Sequence, residues 1–416
     1  MLLFNNLLNI ARGTKEKAAF AYAAAVQNHL GSKLSKKKYI KVVFFVLYDS
    51  MWKNDRLFKM MMESDRFDPY VISISHSKQS VEMIEDNQKR LRSFFEKKGF
   101  PFIEGYDSLT DRWFDIKTFN PDIVFYQQPY NDTCDEYRIK SLLHNCVMCY
   151  IPYAYAIEDS SFFYNTYLLN IAWKLFYPTV FQFDDAKRFA INHGKNVVVS
   201  GYPLEDYVVP GQRTGDGKWK QKDVNIKRVI WAPHHSILND DMLSYSLFLE
   251  MADQMVELAK KYSGKIQFAF KPHPVLKEKL CRQDVWGIER TEGYYKLWED
   301  MQNTCIAQSE YIDLFNSSDA MIHDCSSFTV EYLHTWKPVM YLTRKNHEPE
   351  FNECGKMGYR LHYKGGTVND IEQFLDVVVL GGDDTMINQR KDFYNKYLLP
   401  PGGTSVAECI FNEVNK

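Results

Sequence analysis

Nothing in this 416-residue chain approaches the ~18–20 consecutive apolar residues needed to span a bilayer. The apolar opening, Met1 to Ile10, is short, and mixed charge follows it rather than a small-residue cleavage site, so secretion is not expected. Cysteine is sparse: eight residues, with one close pair, Cys146 and Cys149. No second CxxC or CxxH accompanies that pair, and it sits in an apolar run before Ile151 and Pro152. Zinc-ribbon and disulfide frameworks are therefore set aside in favour of reduced, buried strand thiols in a cytoplasmic protein. Excess charge is also lacking, since a formal net charge of −2 gives no electrostatic reason for wholesale nucleic-acid binding. There is no internal repeat, no low-complexity tract, and no dense aspartate cluster or DxD on a predicted loop, so nothing calls for a metal or another cofactor.

What is present is a globular composition: 45% hydrophobic, 25% charged and 15% aromatic, long enough for two domains. Residues 1–38 read as an Ala-rich helical segment followed by Lys33, Lys36, Lys37 and Lys38. Such a segment either packs on the protein or lies on an anionic membrane surface, which would put the chain at the inner face of the cell membrane.

From 39 to 210, apolar runs alternate with helical spacing: strands at 41–48, 70–75, 102–103, 122–126, 147–151, 177–183 and 196–200, with a helix at 184–193. Strands alternating with helices imply a parallel sheet with right-handed crossovers. Residues 211–225, Gly-rich and polar, read as a linker. The alternation restarts over 226–385, with strands at 228–232, 266–270, 320–323 and 339–342, helices at 245–262, 311–316 and 328–335, and a last βα pair between 359 and 380. Helices close the chain over 386–416. The fold class is α/β, with two Rossmann-like parallel-sheet domains and a cleft between their strand ends.

Three stretches carry chemistry. Trp231-Ala-Pro-His-His-Ser236 ends a strand in a proline-stopped turn and presents His234, His235 and Ser236. Paired histidines bind metal, act as acid or base, or donate to phosphate, and Ser236 doubles as a helix cap. In Lys271-Pro-His-Pro274 the two prolines stiffen the loop that aims Lys271 and His273, an ammonium and an imidazole suited to clamping a pyrophosphate. In Asp324-Cys-Ser-Ser-Phe-Thr-Val-Glu331, Ser326 or Ser327 is expected to N-cap a helix whose first turn receives an anion. His323 and Asp324 orient that loop, and Glu331 either accepts from ribose hydroxyls or closes a capping box. The ligand is read as a nucleotide-activated donor.

In this order and with helices between, these stretches resemble the CDP-glycerol glycerophosphotransferase family of teichoic-acid and capsule polymerases. Gly201-Tyr-Pro203 is similar to the family's Gly-x-Pro turn. The resemblance covers roughly residues 120–345. It implies a GT-B fold with the donor on the C-terminal domain, and transfer of an alditol phosphate from a CDP-alditol to a hydroxyl of a growing surface polysaccharide or lipid-linked acceptor, with CMP released. On that reading His273 and His234 are catalytic, Lys271, His273, Ser326 and Ser327 hold the phosphates, and His235, Ser236, Asp324 and Glu331 complete the donor site.

The family's Trp-His-Gly-Thr motif is replaced here by residues 149–156, which lack histidine. Tyr153 and Tyr155 are left to bind the acceptor, and Glu158 or Asp159 to act as base. The alternative is a glycosyltransferase of the same fold using a nucleotide sugar; an inactive scaffold is a third reading, opposed by the intact clamp.

Overall fold

The computed structural model describes residues 2–130, 132–238, 246–307, 311–344 and 349–416, with side chains from residue 17 onward. The chain forms two compact units. One is built from residues 1–154, 160–206 and 399–416, the other from Tyr155–Asp159 and Tyr207–Leu398.

The N-terminal unit is organised on seven strands: β1 (Ile40–Val46), β2 (Phe67–Ser73), β3 (Phe102–Ile103), β4 (Ile123–Tyr126), β5 (Val147–Tyr150), β6 (Lys174–Tyr177) and β7 (Val197–Val199). All pair in parallel, in the order β3-β2-β1-β4-β5-β6-β7. A parallel sheet is covered on both faces, so its central strands are apolar throughout rather than alternating. Strand β1 (IKVVFFV) is buried at six of seven positions, and Phe44 stacks on Phe125 of β4 with ring centroids 4.6 Å apart. Cys146 and Cys149 are buried free thiols in and beside β5, and burial raises both thiol pKa values, that of Cys146 to about 12.

The second unit carries β8 (Lys227–Ala232), β9 (Ile266–Phe270), β10 (Thr304–Ile306), β11 (Ala320–His323), β12 (Val339–Leu342) and β13 (Tyr363–Gly365), ordered β10-β9-β8-β11-β12-β13. Its pairs are also all parallel. The core centres on Trp231, whose ring lies 5.0 Å from Phe270, 5.3 Å from Trp298 and 5.6 Å from Phe248. Both units thus show the doubly wound order, with a reversal beside the first strand of each, at β1/β4 and at β8/β11. The loops after those strands form each unit's natural ligand-facing edge.

Several elements depart from the sequence reading. Residues 177–183 do not form a strand: β6 ends at Tyr177, and the Thr179 hydroxyl accepts from the Phe181 amide to start a helix at Val180–Phe189. The polar stretch after 210 is packed rather than free, because it contains one large apolar group. Trp219 is buried and its indole N–H donates to Ser317 Oγ at 2.9 Å, while Arg213 pairs with Asp319 at 2.8 Å. The helix Gly287–Asp300 and strand β10 carry too weak a periodic signal to be read from sequence.

The helix expected from 245 runs over Phe248–Lys261, with Tyr245 outside the described residues. The closing helix, Val406–Asn415, belongs to the N-terminal unit, where the Asp206 carboxylate accepts the Val406 and Ala407 amides at 2.8 Å each. Gly201 turns the chain there with φ of 84°, and a Cβ at that position would stand 2.9 Å from Val406.

The N-terminal helix, Leu2–Leu34, is pinned by buried Gln27, whose amide donates to Leu143 and Cys146 carbonyls and accepts the Met148 amide of β5. Among the described residues no helix is long and apolar enough to cross a membrane.

Candidate functional site

At the β8/β11 reversal, Ala232 pairs with His323, and each strand runs directly into a loop of polar residues. The loop after β9 is zipped onto the loop after β8: Lys271 donates its amide to the Trp231 carbonyl at 2.8 Å, and His273 to the Pro233 carbonyl at 3.2 Å. His273 is thereby brought beside His234 and His235. Its ring centroid lies 5.3 Å from that of His234 and 4.2 Å from that of His235, and those two are 4.3 Å apart.

One ring nitrogen of each of the three imidazoles lies within 4.8 Å of the others, close enough to hold a cation together. The hydrogen bonds on two of the rings point to a different use. The Val275 amide donates to His273 Nδ1 at 3.2 Å, and the Ser236 amide donates to His234 Nδ1 at 3.3 Å, with Ser236 Oγ 2.9 Å from the same nitrogen. A neutral ring whose Nδ1 accepts carries its proton on Nε2. Both rings therefore carry their N–H on Nε2, and ligating a metal through Nε2 would require moving that proton and breaking the backbone bond. The pKa of His273 is driven well below the ordinary imidazole value by burial, then by His235 and His234, so the ring stays neutral.

Asp324, at the end of β11, is almost fully buried and accepts three bonds: the His234 amide at 2.6 Å, the Leu247 amide at 2.8 Å and Ser246 Oγ at 3.0 Å. Burial raises its pKa to about 6. It orients the histidine loop rather than facing a ligand. Lys271 is buried with its ammonium 5.3 Å from the Tyr311 ring centroid, and the Tyr311 hydroxyl donates to Glu331 Oε2. Glu331 is fully buried and its other oxygen, Oε1, has no hydrogen-bond partner. It closes no capping box.

Ser326 and Ser327 are half-buried in the loop after β11. The expected serine cap is absent. Ser327 already has helical backbone angles and its side chain caps nothing, because the chain turns directly into the short helix Phe328–Glu331. Ser326 instead hydrogen-bonds the Glu158 carboxylate.

That loop rests on a pair of histidines. The Cys325 amide donates to His323 Nδ1 at 3.1 Å, the His323 and His362 Nε2 atoms are 3.1 Å apart, and His362 Nδ1 lies 2.8 Å from the Gly358 carbonyl. One proton arrangement satisfies every atom: His323 donates from Nε2 to His362, which donates from Nδ1 to Gly358, and both rings are neutral. Burial holds the His323 pKa at about 3 and that of His362 well below its usual value. His362, Tyr311 and Ser246 were invisible as site residues in the sequence, because each acts through a partner tens of residues away.

The acceptor-side expectations divide. Tyr153 lies in the N-terminal unit, where its carbonyl accepts from the Lys53 ammonium at 2.9 Å and the Tyr202 hydroxyl at 2.6 Å. Tyr155, Glu158 and Asp159 were expected with it but belong to the second unit, as a short strap. Asn352 donates its amide to the Ile157 carbonyl, Asp159 donates its own to Glu350, and Glu158 bridges to Phe351. Tyr155 is buried with its hydroxyl 2.9 Å from His334 Nε2, which removes it from any acceptor surface. Asp159 is exposed. Glu158 is buried, and desolvation raises its pKa.

Residues 172–397, more than half of the chain, match the family described as CDP-glycerol:poly(glycerophosphate) glycerophosphotransferase. Among solved structures, the chain is similar to a variant of the wall teichoic acid polymerase TagF (11% identity, 98% of this chain and 97% of that one, TM-score 0.53). It is also similar to S. aureus MnaA with UDP (14%, 90% and 96%, 0.54) and to a putative UDP-N-acetylglucosamine 2-epimerase from Listeria monocytogenes (15%, 89% and 94%, 0.51). At these identities the likeness shows the fold, a GT-B-like pair of Rossmann units. No curated protein sequence matches.

The neutral histidine pair makes stability depend on pH with a definite sign. Unfolded histidines take up protons near pH ~6.5 while the buried pair does not, so stability falls with pH by about 1.4 kcal/mol per unit per histidine. Asp324 opposes this weakly: its raised pKa stabilises the fold as pH drops from about 6 to about 4. Urea unfolding between about pH 7 and about pH 5 is expected to show a net loss. Constant or rising stability over that range rules out a neutral His323–His362 pair.

Proposed function

Because the chain belongs to the CDP-glycerol:poly(glycerophosphate) glycerophosphotransferase family, we propose that the loops after β8, β9 and β11 hold CDP-glycerol for transfer of its glycerol phosphate to a teichoic-acid-type polymer. The observation that carries the residue roles is the convergence of three imidazoles, two with their proton held on Nε2, beside the Lys271 ammonium at a strand-order reversal. A diphosphate is the ligand such a donor set fits. An acceptor hydroxyl attacks the β-phosphorus. As the new P–O bond forms, the bond to CMP breaks, and the charge on the departing phosphate is met by Lys271, His273, His234 and His235. Ser326 and Ser327 border the same loop, and Glu331 Oε1, buried and unpartnered, is an acceptor for a ribose hydroxyl. Because His234 and His273 are set as donors, the clamp works without a metal.

In transfer assays scoring CMP release from CDP-glycerol, His273→Ala is expected to lower turnover about 100-fold or more with circular dichroism unchanged, and EDTA is expected to leave wild-type turnover intact. Wild-type turnover lost on chelation and restored by Mg²⁺ or Mn²⁺ would remove the metal-free clamp; near-normal activity in His273→Ala would remove that residue.

Glu158 is reassigned by its contact with Ser326. It supports the donor loop, so Glu158→Gln should raise KM for CDP-glycerol several-fold while changing kcat less. A fall in kcat at constant KM would return it to the role of base.

Residues 1–38 supply the membrane contact in this reading. Lys33, Lys36 and Lys38 are exposed beside exposed Tyr39, with Tyr22 exposed further up the same helix. The protein should sediment with vesicles containing anionic lipid and be released by salt. Equal sedimentation with neutral vesicles would contradict an electrostatic contact.

A further inference from the structure

One helix of the second unit, Glu353–Arg360, holds the loop of residues 324–327 from two directions. Its first turn reaches the loop through the strap of residues 155–159. Asn352 caps the helix by accepting the Gly355 amide at 3.0 Å. It also donates its backbone amide to the Ile157 carbonyl at 2.7 Å and its side-chain amide to the Ala156 carbonyl at 3.1 Å. The next residue of the strap, Glu158, is the one that meets Ser326.

The last turn of the helix reaches the loop through the histidine pair. The Gly358 carbonyl takes the His362 Nδ1 proton, His362 Nε2 takes that of His323, and His323 Nδ1 takes the Cys325 amide. Both approaches are close. A Cβ on Gly355 would stand 2.9 Å from the Ile157 carbonyl oxygen, and one on Gly358 2.9 Å from that of Thr329. Thr329 is itself tied to the loop, its hydroxyl donating to the Cys325 carbonyl at 3.1 Å. A methyl group at either glycine fits only if the facing backbone shifts.

The Cys325 amide decides the direction of the bonds. Because it donates to Nδ1, His323 must keep its proton on Nε2, and in a fully buried ring that proton needs an acceptor. His362 supplies one only because Gly358 draws its own proton to Nδ1. Without that acceptor, His323 either buries an unpaired N–H or moves its proton to Nδ1. The second outcome sets two donors against each other at the residue before Ser326 and displaces the loop.

We propose that His362 is a positioning residue for the donor site: acting through His323, it fixes the Cys325 backbone and so presents Ser326 and Ser327 to the donor's phosphates before the ligand arrives. Order supplied in advance spares the ligand the cost of ordering the loop. The proposal rests on the reading of these serines as part of the CDP-glycerol site.

The test compares His362→Asn and His362→Gln with wild type. Asn reaches only toward Gly358, whereas Gln places an acceptor where His362 Nε2 stands. Three quantities are measured: calorimetric CDP-glycerol affinity, KM and kcat for CMP release, and amide hydrogen exchange over residues 324–327 without ligand. His362→Asn should weaken CDP-glycerol binding and raise KM about ten-fold or more, change kcat less, and speed exchange in the loop. His362→Gln should return affinity and exchange to within about three-fold of wild type. Gly358→Ala, which leaves both histidines in place and displaces the helix, should also speed exchange and weaken binding.

Wild-type exchange in His362→Asn, or faster exchange with unchanged CDP-glycerol affinity, overturns the proposal. Equal losses in His362→Asn and His362→Gln overturn it too, because packing rather than the hydrogen bond would then set the loop. If His362→Asn does not fold, Gly358→Ala with normal exchange and affinity has the same force. Wild-type protein that binds another nucleotide but not CDP-glycerol removes the donor assignment instead. The variants titrated with that nucleotide, and the ligand-free exchange, still decide the role of His362.

Discussion

The buried carboxylate of Asp324 is the interaction on which the loops after β8, β9 and β11 depend. It gathers the backbone of His234, the backbone of Leu247 and the hydroxyl of Ser246 at the end of β11. An ionised carboxylate with almost no solvent access is tolerated only because those donors replace water. Its position fixes where the loop after β8 begins, and that loop fixes where the loop after β9 can lie, through the Lys271 and His273 amides. The placement of His234 and His273 is thus the last link of a chain of backbone bonds starting at one carboxylate. A second chain, from Gly358 through His362 and His323 to the Cys325 amide, holds the other side of the same loop.

Most of the architecture was legible because parallel sheets announce themselves. Runs such as Lys41 to Tyr48 and Ile266 to Phe270 are apolar at nearly every position, which only a strand covered on both faces requires. Legibility failed where one residue outweighed its neighbours. Thr179 turned an apolar run into a helix by capping it, and Trp219 turned a polar, glycine-rich stretch into a packed one by burying a single indole. Composition averaged over a window does not detect either.

The site was legible in its residue types and less so in its geometry. Lys271, His273, Asp324 and the paired histidines stood out because prolines and strand ends isolate them. What each one touches was not available. Asp324 faces inward to amides, Ser326 faces Glu158, and Tyr155 is turned away onto His334. The supporting partners His362 and Tyr311 are joined to the site by contacts between residues that sequence spacing cannot connect.

The strap formed by Tyr155–Asp159 bears on how such enzymes diversify. With breaks after residues 154, 159, 206 and 398, the chain changes unit four times rather than once. A gene segment encoding residues 207–398 alone would produce a six-stranded unit lacking the segment that bridges Phe351 and the hydroxyl that meets His334. Exchanging one half for that of a relative by a single crossover therefore severs hydrogen bonds inside the half being moved. Inheritance through a lineage should then keep the two units of one chain together, with variation arising by substitution within loops rather than by exchange of whole units.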